Sequence, residues 1–425
     1  MSAPMYDEGM ELMTERQWKV WDVMRRLKAG ALTTEEAARI LDLSARQVRR
    51  LRQGVEERGK AALVHGSRGR QACNRTASSV RDRIVALRQG RYAGFNDTHF
   101  TEKPREDEHL EVSRATVQRL LRGAKVAAAR PRRPSKHRRR RDRRAQAGLM
   151  ALWDGSRHDW LEGRGPMLCL MGAIDDATGE LLPGAHFVEQ ECAAGYLRVL
   201  RDIGRHKGLP HSLYMDGHGS LFRNDGYWTL AEELRGEQDP THVGRALRAL
   251  EVEVIRALSP QAKGRVERLW GTLQDRLCSE LRLAQARTHE QANEVLEQYR
   301  SRFNARFTVE PREAASAWRA VRRGVDLDRL CAFYYEVGVG NDNAVRLQGV
   351  VLDIPPGPGG RSYARARVEV RQLLDGSWRV YHGDQLIAQQ APTTLAELRA
   401  GRVRKRSAES RAFRKGVGTI SPSLP

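Results

Sequence analysis

The sequence predicts a multidomain protein of α and α/β class: a helical N-terminal region, an α/β core with a mixed sheet, and a small C-terminal β-barrel or sandwich. Three observations carry this. Residues 15 to 125 place apolar side chains at helical spacing between short turns. Residues 148 to 285 alternate strand and helix signals. From about residue 334 the apolar period falls to two, between turns rich in Gly, Pro and Asp. The chain has 425 residues, 40% of them hydrophobic, enough for several cores.

The first helices come from "ALTTEEAARILDLSARQVRRLRQGVEERG". Thr33 or Thr34 can cap a helix, with Glu35 or Glu36 placed to reciprocate. Ala37, Ala38 and Leu41 form its apolar stripe. "DLS" is a turn, and Ser44 caps the next helix. That helix turns Val48 and Leu51 inward and leaves Arg46, Gln47, Arg49 and Arg50 outside. Such a division suits a recognition helix, whose Arg and Gln reach base edges and phosphates; an ordinary hairpin with a solvated basic face is the alternative. Residues 1–72 are therefore expected to form a helix-turn-helix domain. Residues 73–129 are expected to form a second such domain, from a helix near 77–89 and "VSRATVQRLLRGAKV", with Ser113 as cap and Arg114 and Gln118 on the polar side.

Residues 130–147 read as a basic linker. "RPRRPSKHRRRRDRR" holds ten Lys or Arg against one acid, and its self-repulsion forbids a core. The whole chain carries 74 Lys and Arg against 53 Asp and Glu, a net charge of +21. That surplus points to a polyanion partner, most often nucleic acid. The five cysteines form no CxxC pair, which argues against zinc modules and disulfide frameworks and fits a reducing cytoplasm. The N-terminus does not read as a signal peptide, and no apolar run is long enough for a membrane span.

The expected core covers residues 148–325. "LMALWDG" is a strand, and "PMLCLMGAIDDATGELLPGAHFVE" gives two strands joined by a turn at 176–179. A helix, the short strand "HSLYMDG", a helix at "THVGRALRALE" and the strand "VEVIRA" follow. A long helix occupies about 261–283, and helices are expected to continue through 288–324. Residues 326–392 are the β-barrel domain, and 393–425 a basic disordered tail.

Cleavage of a phosphodiester through magnesium needs hard oxygen ligands, converging from several rigid elements. Three acids stand where such a site can form. Asp154 ends the first strand, and Asp216 ends "HSLYMDG". Glu267 sits on the long helix one residue from Val266, at the edge of the stripe of Val266, Leu269, Trp270, Leu273 and Leu277. Each acid taken alone is more often a cap or turn residue. The three together, with Lys263, Arg265 and Arg268 beside Glu267 to contact phosphate, form the candidate catalytic and DNA-binding constellation.

The same stretches carry a resemblance. "WDGS", "IDDATGELL", "YMDGHGSLFR" and "SPQAKGRVERLWGTLQ" make the chain resemble the DDE transposases of bacterial insertion sequences, in the group outside the classified families, over nearly its whole length. The resemblance implies a ribonuclease H-like integrase catalytic core. It also implies that Asp154, Asp216 and Glu267 form a triad holding two Mg²⁺ ions, with Mn²⁺ able to substitute. Its implied partners are double-stranded DNA, as terminal inverted repeats and as target, with a homo-oligomer assembled on it. The implied location is the bacterial cytoplasm, on the nucleoid when DNA is bound. Alternatives are a regulator with an inactive core, or a related nuclease. Asp175 and Asp176 read as turn residues. His158 and Asp159 could line the site or position water, and His218 could reach a phosphate or the nucleophile; otherwise all three are loop residues, and Trp270 belongs to the apolar stripe.

Overall fold

The computed structural model describes residues 13–64, 75–129, 141–217, 219–223, 226–256, 264–347 and 349–392. The expected tail, residues 130–140 of the linker, Lys263 and His218 lie outside the described residues. The chain divides into two compact units, Met1–Arg81 and Asp82–Pro425.

In the first unit α1 (Glu15–Lys28), α2 (Thr34–Leu41) and α3 (Ala45–Arg58) follow in close succession. Each opens on a reciprocal capping box: Thr14 with Gln17, Thr33 with Glu36, and Ser44 with Gln47. Asp42 ends α2 in the left-handed conformation, with φ 55°. A short polar side chain tolerates that conformation best after glycine. Val23, Met24, Leu27, Ala37 and Val48 are buried together, with Ala38, Leu41 and Leu51 against them.

The helix α4 (Ser78–Gln89) spans the boundary between the units, and α5 (Asp97–Glu108) and α6 (Arg114–Gly123) belong to the second. Ser113 caps α6 as expected. The sequence reading did not place α5. Its interior Pro104 and charged surface disguise a helix whose buried side is His99, Phe100, Lys103 and Pro104.

The α/β core is one five-stranded sheet in the order β3-β2-β1-β4-β5. Its strands are β1 (Met150–His158), β2 (Leu168–Asp175), β3 (His186–Val188), β4 (Ser212–Met215) and β5 (Glu253–Arg256). The first three are antiparallel neighbours, whereas β4 pairs parallel with both β1 and β5. A parallel return needs a crossover. The helix α7 (Ala193–His206) supplies it before β4, and α8 (Leu230–Arg235) and α9 (His242–Ala249) do so before β5. The long helices α10 (Gly264–Leu283) and α11 (His289–Phe307) cover one face, packing on Met150, Leu152, Leu168 and Leu170. The helices α7 and α9 cover the other, against Ala151, Trp153, Met171 and Leu213.

Helix does not continue through 308–324. After Phe307 the next helix is the short α12 (Leu327–Leu330). Pro311 disfavours helical geometry in the residue before it. Beyond it, Leu209 and Arg319 exchange both backbone hydrogen bonds, at 2.7 and 2.9 Å, so the chain is held extended against the core. The end of the basic linker is docked as well. Arg141 and the Arg144 N–H bond Asp176, and Arg143 donates to the Ala177 carbonyl.

The C-terminal module comprises β6 (Phe333–Gly338), β7 (Ala344–Leu347), β8 (Val350–Asp353), β9 (Arg367–Gln372), β10 (Trp378–His382) and β11 (Gln385–Gln390). Their ladders give a four-stranded sheet, β11-β10-β9-β6, and a separate hairpin of β7 and β8. The two share a core around Val345, Leu352, Val370 and Trp378. Among the described residues the hydrogen bonding does not close into a ring, so the sandwich is the better description of the two expected forms.

Candidate active site

Strand register brings the first two acids together. The parallel ladder pairs Met150 with Ser212, Ala151 with Leu213 and Leu152 with Tyr214. The ladder ends there: β1 runs on through Asp154 to His158, so Asp154 stands in the middle of its strand and not at the expected end, whereas Asp216 follows the last residue of β4. Side chains alternate along a strand. Leu152 and Tyr214 point into the core under α10 and α11, and Asp154, two residues along β1 from Leu152, points to that same face. Both carboxylates also bear on Tyr196 across the sheet. Burial above all, then Glu191, then Asp154 and Asp216 push the Tyr196 phenol up.

The third acid comes from α10. The Trp270 indole N–H donates to Asp154 Oδ2 at 3.1 Å, and Gln274 Nε2 donates to Ser156 Oγ at 3.1 Å. These two bonds, one helical turn apart, fix α10 over the middle of β1. Glu267 lies three residues before Trp270, one turn away on the neighbouring helical surface. Val266 is buried beside it, whereas Glu267 itself is exposed.

The donor set suits magnesium chemically. All three groups are hard carboxylates, and Mg²⁺ commonly takes one or two of these and fills its shell with water and substrate phosphate oxygens. Asp154 in the middle of β1 and Asp216 just after β4 would be such a pair. Among the described residues no three His, Cys, Asp or Glu side chains stand close enough to hold an ion by themselves.

Two further groups near the pair were not apparent from the sequence. Glu191, between β3 and α7, accepts a hydrogen bond from the buried Tyr196 hydroxyl. Its carboxylate lies against Gly155, where an added Cβ would stand 2.9 Å from Glu191 Oε2. Below it, burial and then Glu191 and Asp154 push the Cys169 thiol up to about 12. No spacing rule links residue 191 to residue 155, so only the folded chain reveals this contact.

The basic candidates separate into three groups. On α3, Arg46, Arg49 and Arg50 are exposed beside buried Val48. Gln47 has its Oε1 engaged by the Ser44 N–H at 2.9 Å, so it serves first as a cap. On α6, Arg114 is exposed and Gln118 half-buried. On α10, Arg268 is exposed, but the Arg265 guanidinium pairs with the fully buried Asp176. Arg141 bonds the same carboxylate at 2.6 Å. Burial, then the neighbouring Arg265, lowers the affinity of Arg143 for its proton. Asp176 is thus the hub of an arginine cluster. Asp175 caps the turn, accepting from the Gly148 and Thr178 N–H groups at 2.8 Å each. Trp153 and Trp160 are buried in the two cores; His158 packs edge-on to Trp160, and Asp159 Oδ1 accepts from the Gly163 N–H at 3.0 Å.

Comparison with known proteins agrees with the N-terminal architecture. Residues 22–71 match the model of a helix-turn-helix domain family. The chain is 34% identical over 395 residues to "Putative transposase y4bF" of Sinorhizobium fredii, covering 90% of this chain and 85% of that protein. It is 30% identical over 326 residues to the "Transposase for insertion sequence IS1202" of Streptococcus pneumoniae, covering 68% of each. Among solved structures, it is 11% identical to a chain of the simian T-cell lymphotropic virus intasome bound to the PP2A regulatory subunit B56 gamma. There the match covers 73% of this chain and 100% of that one at a TM-score of 0.31, too slight to bear on the fold. No helix among the described residues is long and apolar enough to cross a membrane. With relatives matched over most of their length and a DNA-binding fold at its front, the chain belongs to the transposases of insertion sequences.

Proposed function

We propose that this transposase works by DDE chemistry on a ribonuclease H-like core. It would bind the terminal inverted repeats of its element, cut their 3′ ends and join them to target DNA. The observation that carries this reading is the parallel pairing of β1, which bears Asp154, with β4, which Asp216 follows, together with the Trp270 indole that ties Asp154 to the helix bearing Glu267.

Asp154, Asp216 and Glu267 would hold two Mg²⁺ ions, or Mn²⁺ in their place, whose charge would activate the attacking oxygen and stabilise the departing one. The helix α3 presents Arg46, Arg49 and Arg50 to the repeat. Arg268 offers its charge to the phosphates near the acids. In the first reaction water attacks the phosphodiester at the element's end, and the 3′-OH of the element strand leaves. In the second, that 3′-OH attacks a target phosphate, and the target's own 3′-OH leaves. Neither step needs a covalent link to the protein. Two ends must be joined in concert, so the active form is a homo-oligomer on DNA.

The test uses end-labelled DNA from the flanks of the gene, with Mg²⁺ and the full chain. The wild type nicks and joins 3′ ends, whereas Glu267→Gln binds the same DNA without cutting. Tight binding with no cutting by either protein would make the chain a DNA-binding regulator. Cutting that survives in the variant would remove Glu267 from the site.

A further inference from the structure

We infer that Trp270 is a positioning residue for Asp154: its indole N–H sets the orientation of the carboxylate at which the cation is to be held. This rests on the reading of Asp154 as a metal ligand.

Three features of the fold build the contact. First, the donor is buried. Trp270 is only 5% exposed and belongs to the core beneath α10, so its ring cannot swing away to solvent. Second, β2 makes room for it. The antiparallel partner of Asp154 is Gly172, and a Cβ added there would stand 3.2 Å from Ala185 Cβ and in ordinary contact, 3.5 Å, with the far edge of the Trp270 ring, so the indole packs directly over this glycine. Third, α10 is held in register by the Gln274 bond to Ser156, two residues along β1 from Asp154 and one turn along α10 from Trp270.

An N–H aimed at Oδ2 restrains rotation of the carboxylate about its Cβ–Cγ bond, and hydrogen bonds to charged acceptors are the stronger kind. Ligand-orienting groups of this sort commonly govern metal affinity. Tryptophan has one donor and no acceptor, so it cannot itself compete for the cation.

The test measures Mn²⁺ binding by the full chain without DNA, from the electron paramagnetic resonance of free Mn²⁺ and from tryptophan fluorescence. The wild type is expected to show a cation-dependent fluorescence change. Trp270→Phe loses that change and binds Mn²⁺ about 10–100-fold more weakly, with its DNA affinity and thermal midpoint kept. Should Trp270→Phe lower the thermal midpoint, benzothienylalanine at position 270 keeps the ring shape and removes only the N–H. It is expected to reproduce the weaker binding. Wild-type affinity in the shape-preserving variant overturns the inference. If Asp154→Asn retains full Mn²⁺ binding, the acidic site itself is misassigned and this inference falls with it; if Asp154→Asn abolishes binding while loss of the N–H has no effect, only the positioning role is lost.

Discussion

Glu280 offers the sharpest stability prediction. Its carboxylate is nearly fully buried on α10, where it meets His99 at 2.8 Å and Lys103 at 2.8 Å from α5, and Arg302 at 3.4 Å from α11. Burial pushes this carboxyl up, but the hydrogen bonds from His99 and Lys103 and the Lys103 charge outweigh it and hold it at about 2, against an ordinary 4.5. That difference is worth about 3 kcal/mol. Because the folded value is the lower one, the contribution is complete above the unfolded value near 4.5 and is lost as pH falls through about 2. Glu280→Gln leaves Lys103 buried without its counter-charge, so a loss of about 3–5 kcal/mol is expected at pH 7. Urea unfolding followed by tryptophan fluorescence, at pH 7, 5, 4 and 3, measures both parts. The gap between variant and wild type should be largest at pH 7 and shrink below pH 4.5. A gap under about 1 kcal/mol at pH 7, the size of an exposed ion pair, would refute the reasoning, as would a gap that stays constant into acid.

Other substitutions probe the remaining parts. Asp176→Asn removes the charge that Arg141 and Arg265 share and should cost about 3 kcal/mol in the unfolding of the core, read by chemical denaturation. Gly155→Ala would set a methyl 2.9 Å from Glu191 Oε2 and 3.2 Å from Cys169 Sγ, and should lower stability by about 1–3 kcal/mol; an unchanged thermal midpoint would place Glu191 elsewhere. Arg49→Ala and Arg50→Ala should each weaken binding to any DNA sequence and reduce the slope of log affinity against log salt by about 1, as measured by fluorescence anisotropy. Unchanged slopes would take those residues off the phosphate backbone.

Local chemistry made much of this fold legible. Caps at Thr33, Ser44 and Ser113 mark helix starts because hydroxyl acceptors satisfy the first backbone donors. The strands that carry Asp154 and precede Asp216 were readable from short apolar runs, but β1 runs on to His158 because β2 pairs with its polar half, which no apolar run announces. What stayed hidden depends on long-range contacts. The helix α5 conceals itself behind Pro104 and is stabilised by Glu280, more than 170 positions away. Residues 308–324 are rich in helix formers, yet the bridge between Leu209 and Arg319 holds them extended. The sequence shows Arg265 as one of several cations near Glu267, but not that Asp176 claims it. Trp270 reads as an apolar stripe residue, and it is buried as such; only its N–H direction reveals a second task.

The central claim is that Asp154, Asp216 and Glu267 hold the reactive cation. Fe²⁺ placed in such a site cleaves the neighbouring backbone when peroxide and ascorbate are added, and the fragments can be mapped by mass spectrometry. Cuts are expected to cluster near residues 154, 216 and 267, to be suppressed by excess Mg²⁺ and to be absent in Asp154→Asn. Cuts clustered elsewhere, or a pattern unchanged in Asp154→Asn, would contradict it.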